Sequence, residues 1–448
     1  MTTANKSNAP KSVLNIPFDV LEQIFMHYSS NETIHHPLET LLLVSRSWNA
    51  AATNYPTLWA NNLKIHVGHE PTTRIWKARL PRRLARCGPL APLSIDVQNH
   101  LDVPPVESIS TYERLSRDDE DDDSDGGDAC ECVHPAREFI AQALETLAGP
   151  KGALCVRWKS VKLDLGHYPW ICVGDERIAQ TLSYSMPSLE NLVLQNVHLS
   201  DECTNVQVFP NTPALTAVSL FHCDIPVHIN LDTIMRASLV WGPFGEVAHR
   251  FKAVGQPSQM QYLHLNLPST LQLPLQNTLN NLRCLCVDAG SIPDALYTCK
   301  MPNLTRLELK LNEGDLLSQM LRLNNVHFGT LRSISLTWDQ LCPAYVWPRP
   351  EHDLSKSLLE FLRRCSHLER VEIEGKRILG IFVNLLWQLS NEARKPLIRG
   401  RSLLNLDRNL MVRFNGNEDI EFIEQLAKDW NLELLNDSLS KTEVPSTL

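Results

Sequence analysis

Residues 281–310 read NLRCLCVDAGSIPDALYTCKMPNLTRLELK, and one short phrase stands near both ends of the stretch. Leu282, Leu285 and Val287 open it, and Leu304, Leu307 and Leu309 repeat it 22 residues later. A third copy, Met260, Leu263 and Leu265, precedes the first by the same interval. The unit is an apolar residue, two variable ones, an apolar residue, one variable and a last apolar residue. That spacing suits a short strand with alternate side chains turned to one side. One such unit buries too little apolar surface to stand alone, so neighbours must stack and share a core.

Further copies lie on either side: Trp158/Val161/Leu163, Leu189/Leu192/Leu194, Leu215/Val218/Leu220, Leu331/Ile334/Leu336 and Leu368/Val371/Ile373. Their starts are unevenly spaced, which predicts strands joined by connections of unequal length. The gap of 45 residues between Leu215 and Met260 predicts a degraded copy at Arg236/Leu239/Trp241, with a charge in the first apolar place. The pattern reads as an irregular leucine-rich-repeat body over 136–415, in the α/β class. Asn or Cys often closes each turn of such a repeat; Cys223 and Asn312 do so here, while Val197 and Gly166 stand at the same place in other copies. Strand residues between the apolar positions are expected on the concave side. The candidate contacts for a protein target are therefore Phe221, His264, Asn266, Glu308, Lys310, Glu372 and Glu374.

The N-terminal part has a different period. Residues 1–12 are small and polar and predict a flexible tail. From Pro17 to Tyr28, Phe18, Val20, Leu21, Ile24 and Phe25 fall largely at helical spacing, with Pro17 suited to a first turn. A polar break follows. Pro37 then opens an apolar stretch that runs through Leu42, Val44 and Trp48 to Ala52 before Pro56, which predicts two more short helices with a bend near Ser45. The expected order is a helical module over 13–65, a linker helix and first strand over 66–102, an acidic disordered loop over 103–135, the repeat body, and a cap and tail over 416–448.

The net charge of −9 comes almost entirely from one run, Asp118 to Asp128 (DDEDDDSDGGD), whose eight acids leave the remainder near −1. That balance gives no protein-wide basic field for nucleic acid. The six basic residues Arg74, Lys77, Arg79, Arg82, Arg83 and Arg86 are expected to form a solvated helix face. Twelve scattered cysteines and a polar N-terminus predict reduced thiols in the cytoplasm or nucleus. The most apolar stretch, Ile378 to Leu389, is too short to span a bilayer.

The segment Leu14 to Ile65 resembles the F-box. NIPFDVLEQIF is similar to its opening helix, TLLLVSRSWNAAA to its second and third helices, and TLWANNLKI to its exit. Farther on, RRLARCGPLAPLSIDV, from Arg82 to Val97, resembles the helix and strand that follow in basidiomycete F-box proteins. The resemblance implies a substrate-recognition subunit of a cullin-type ubiquitin ligase. It implies that Pro17, Leu21, Ile24, Phe25, Leu42, Val44 and Trp48 bind a Skp-type adaptor, and through it a cullin. A protein-interaction scaffold with a degenerate F-box is the alternative.

No nucleophile elbow, phosphate loop, HExxH or paired CxxC occurs, so no catalytic residue, cofactor or enzymatic activity is expected. Cys130, Cys132 and His134 crowd together without an evident fourth ligand, and no metal site is expected there.

Overall fold

The computed structural model describes residues 16–30, 37–67, 70–99, 133–166, 175–197, 206–223, 228–240, 252–266, 278–288, 299–310, 328–337, 367–374, 411–415 and 433–436, with isolated positions at 296 and between 358 and 365. The tail expected over 1–12, the acidic run and most of the cap over 416–448 lie outside these residues, as do Cys130, Cys132, Trp241 and Asn312. The chain is α/β and divides into two compact units. One is Met1–Leu189 with Leu199–Cys203, and the other is Glu190–His198 with Thr204–Leu448.

The first unit opens with helix α1 (Phe18–Ser30), a 3-10 turn (Leu38–Thr40), and helices α2 (Leu41–Val44), α3 (Arg46–Thr53) and α4 (Pro56–Ala60). Ser45 is extended and its hydroxyl accepts from the Trp48 N–H at 3.2 Å, capping α3 at the expected bend. Strand β1 (Leu63–Val67), helix α5 (Glu70–Arg86) and strand β2 (Leu93–Asn99) follow. The strand expected behind the basic helix is thus present, but it is the second one. Leu63, Ile65 and Val67 already alternate inward as a strand. Helix α6 (Val133–Ala148) ends the segment expected as a loop to 135, and strand β3 (Trp158–Asp164) and helix α7 (Asp175–Leu182) complete the unit. The three strands are parallel in the order β1-β2-β3, with Ile95 opposite both Leu63 and Val161.

Among its described residues, the second unit carries ten parallel strands in chain order: β4 (Asn191–Gln195), β5 (Ala217–Phe221), β7 (Arg236–Val240), β9 (Tyr262–Asn266), β10 (Cys284–Val287), β11 (Arg306–Lys310), β12 (Ser333–Thr337), β13 (Arg370–Glu374), β14 (Met411–Asn415) and β15 (Glu433–Asn436). A separate parallel pair, β6 (His228–Asn230) and β8 (Lys252–Val254), lies within the connections. The main sheet is open. Its register aligns the apolar positions: Leu192, Val218, Ala237, Leu263, Leu285, Leu307, Ile334 and Val371 lie opposite one another in sequence. Every residue of that row is buried. Past β4 and β5, Asn196 and His222 adopt positive φ (52° and 51°) and donate to Phe221 O and Val240 O, which turns the chain away from the sheet. Val197 and Cys223 then tuck inward, so Val197 fills the closing position as well as Cys223 does.

One junction recurs through the unit. The carbonyls of Glu190, Thr216, Met235, Gln261, Arg283, Thr305 and Arg332 each accept two consecutive N–H groups at the entrance of the next strand, at 2.8–3.1 Å. Side chains reinforce it: Asn281 and Asn303 donate to Ser258 O and Asn280 O, and Thr233 and Thr330 donate to Leu215 O and Leu304 O.

The expected degraded copy is a correction. Ala237 and Leu239 pair with Val218 and Leu220 on one side and with Leu263 and Leu265 on the other, so the unit is Ile234/Ala237/Leu239. Ile234 is fully buried, and Arg236 lies exposed between the apolar positions. The first apolar place is filled by an ordinary hydrophobe two residues earlier than the sequence pattern put it. Ile234→Ala is expected to lower stability by about 2–5 kcal/mol in denaturant unfolding, and Arg236→Ala by less than about 0.5 kcal/mol. The opposite ranking would restore the register that begins at Arg236.

Candidate functional site

The helical segment of the first unit presents apolar side chains on two short stretches. On α1, Leu21 and Phe25 are one turn apart and are buried, with Phe25 edge-on to Trp48 of α3 at 5.3 Å between ring centroids. Pro17, Phe18, Val20 and Ile24 remain exposed, Phe18 by 51%. On α2, Leu43 and Val44 are exposed by 84% and 58%, while Leu42 and Trp48 are half-buried.

The residues that the resemblance implies for adaptor binding are thus divided between core and surface. Leu21 and Phe25 are core residues that support the face from beneath, because α1 packs against α3 and α4 through that side. Pro17, Ile24 and Val44 are open to solvent. Phe18, Val20 and Leu43 are exposed too, outside the set that the resemblance implies; for Phe18 and Val20 the sequence carries the signal, since α1 has more apolar residues than one buried stripe can hold.

A buried ion pair fastens this segment to the linker helix. Arg83, fully buried, donates from Nε and Nη2 to the two carboxylate oxygens of Glu39, both at 2.8 Å, and from Nη1 to Asn62 O at 3.3 Å. Its guanidinium also lies 4.8 Å from the centre of the Trp76 ring. The solvated face expected for the basic stretch therefore fails at Arg83. Arg74, Lys77 and Arg82 are exposed, and Arg86 sits over Trp59 at 4.6 Å. Burial alone would raise the Glu39 carboxyl, but the hydrogen bonds and charge of Arg83 outweigh it and hold the carboxyl below its ordinary 4.5.

In the second unit, the row that alternates with the buried leucines contains most of the predicted target contacts. Across β7 to β13 its middle line is Ser238, His264, Cys286, Glu308, Ser335 and Glu372. Phe221, His264, Asn266, Glu308, Lys310 and Glu372 are all half-buried; the Glu374 side chain lies outside the described residues. Ser238 Oγ and His264 Nδ1 are 2.8 Å apart, and Lys310 Nζ meets Asp288 at 2.8 Å. Burial, assisted by the charge of Lys310, pushes the His264 imidazole below its ordinary value against the pull of Asp288 and Glu308.

No family model matches this sequence, and comparison with curated proteins returns no match. The chemistry of the described residues is then the available guide. Burial pushes the thiols of Cys155, Cys284, Cys286 and Cys365 up to about 12, and those of Cys87 and Cys299 up to about 11, so they are protonated at neutral pH. Cys286 beside His264 is accordingly not an activated nucleophile. Among the described residues no group of three His, Cys, Asp or Glu could hold a metal ion, and no helix is long and apolar enough to cross a membrane.

Glu39→Ala strands the Arg83 charge in the interior and is expected to cost about 3 kcal/mol, at the lower end for a broken buried pair because Glu39 keeps some solvent. Since the folded carboxyl is depressed, its contribution is complete above 4.5 and is lost as pH falls from 4.5 through the folded value. Thermal melts of wild type and Glu39→Gln should converge over that acid range.

Proposed function

We propose that this chain is a substrate-recognition subunit of a cullin-type ubiquitin ligase. On this reading, the helical segment of the first unit binds a Skp-type adaptor, and the ladder of the second unit, taken as a leucine-rich-repeat body, holds a protein target. The observation that carries the reading is the exposure of Phe18, Val20, Ile24, Leu43 and Val44 in the segment that resembles the F-box, above a support of Leu21, Phe25 and Trp48. Apolar side chains left open on short helices suit burial by a partner.

The work of such a subunit is proximity, so the reading needs no nucleophile, cofactor or metal in this chain. It places the protein in the cytoplasm or nucleus with the rest of the ligase. A scaffold with a degenerate F-box shares the ladder but binds no adaptor.

Calorimetry with the full chain and a Skp-type adaptor separates the two. Ile24→Ala with Val44→Ala is expected to weaken binding by about 2–4 kcal/mol if both act as anchors, with the melting temperature unchanged. Leu21→Ala with Phe25→Ala should lower the melting temperature first, since both side chains are core. Absence of adaptor binding by the wild-type chain gives the scaffold reading its place.

A further inference from the structure

The second unit carries arginines at the entrances of its strands. Arg236 begins β7, Arg283 precedes β10, Arg306 begins β11, Arg332 precedes β12 and Arg370 begins β13. In the hydrogen-bonded register, Arg236, Tyr262, Cys284, Arg306, Ser333 and Arg370 succeed one another from strand to strand. Three of the arginines have carboxylates. Arg306 meets Glu308 at 2.7 Å and Glu372 at 3.7 Å, Arg332 meets Glu369 at 3.6 Å, and Arg370 meets Glu372. Arg236 and Arg283 are exposed and have no acidic partner among the described residues.

Two buried nitrogens on the same face are also unmet. Arg370 Nε and His264 Nε2 have no hydrogen-bond partner among the described residues. Arg283 and Arg332 lie one residue before the row from Arg236 to Arg370, so it is the strand entrances, rather than one face, that carry the unpaired charge of Arg236 and Arg283.

We propose that these arginines at the strand entrances bind an extended, carboxylate-rich peptide segment of a partner protein, laid across the strands. Neighbouring strands are about 4.8 Å apart. Arg236 and Arg283 are two strands apart, as are Arg283 and Arg332, which gives about 10 Å per step. A polyproline-type chain, with three residues per turn and a rise of about 3.1 Å per residue, covers that distance in one turn and keeps every third side chain on one side, so acids at every third position match the spacing. Glu308, Glu369 and Glu372 stand among the arginines. A peptide can set uncharged residues opposite them, whereas a nucleic acid carries a phosphate at every step and meets repulsion there.

The inference gives a chemical class to the target and rests on the reading of the second unit as a target-holding surface. Its test uses no adaptor, so adaptor binding and peptide binding can fail separately. Fluorescence anisotropy of the full chain with a labelled decapeptide bearing Glu at every third residue should show binding at low ionic strength that salt weakens. The matching Gln peptide should not bind. Arg236→Ser with Arg283→Ser should weaken binding about tenfold, roughly what two exposed ion pairs supply, at unchanged melting temperature. Equal binding of the Glu and Gln peptides, or wild-type affinity in the double variant, overturns the proposal. So does tighter binding of a single-stranded oligonucleotide through the same two arginines.

Discussion

At the entrance of seven successive strands in the second unit, one carbonyl oxygen takes two N–H groups from the next strand, and the ladder depends on that junction. Each bond is worth only about 0.5–1.5 kcal/mol net, but the junction fixes where the following strand begins. It therefore sets which side chains alternate inward, because a slip of one residue would turn every leucine of a strand to the other face. The carbonyls at Glu190, Thr216, Met235, Gln261, Arg283, Thr305 and Arg332 are unevenly spaced in the chain. Irregular connections are tolerated because the entropy of closing a loop grows only logarithmically with its length.

The first unit holds its helical segment by another means. Arg83 of α5 reaches the Glu39 carboxylate in the turn before α2 and the Asn62 carbonyl before β1, so one side chain ties three segments together. Such a pair adds little net stability beside a well-packed apolar alternative, yet any arrangement that separates the partners leaves a buried charge uncompensated. With Trp59 donating to Ala52 O and Lys64 to Ser29 O, the short helices are fastened below. The exposed apolar residues of α1 and α2 are left to the solvent side.

The same division of labour runs through both candidate surfaces. In each, a buried row sets the backbone and the alternate residues lie on the other side. Leu263 and Leu265 are buried while His264 between them takes up Ser238; Leu307 and Leu309 are buried while Glu308 takes up Arg306. The ionic contacts on that face are partly exposed, so they contribute little to stability and act chiefly to hold side chains in place.

By itself the sequence marked the strands of the ladder, since the spacing of Leu282, Leu285 and Val287 recurs along the chain and its copies fall on neighbouring strands; that they pair in parallel came from the structure. It also determined the helices around the Ser45 bend, because proline placement and capping act within a few residues. Only the tertiary structure decided that Ile234, not Arg236, opens the repeat copy between Leu215 and Met260, because the pairing with strands on both sides chooses between two overlapping patterns. It likewise decided that Leu21 and Phe25 are core while Phe18, Val20 and Leu43 are open, since an amphipathic helix shows which residues are apolar and its neighbours choose which face to cover. Burial of Arg83 was hidden for the same reason. A charge enters the interior only when its partner, here 44 residues away, is folded against it.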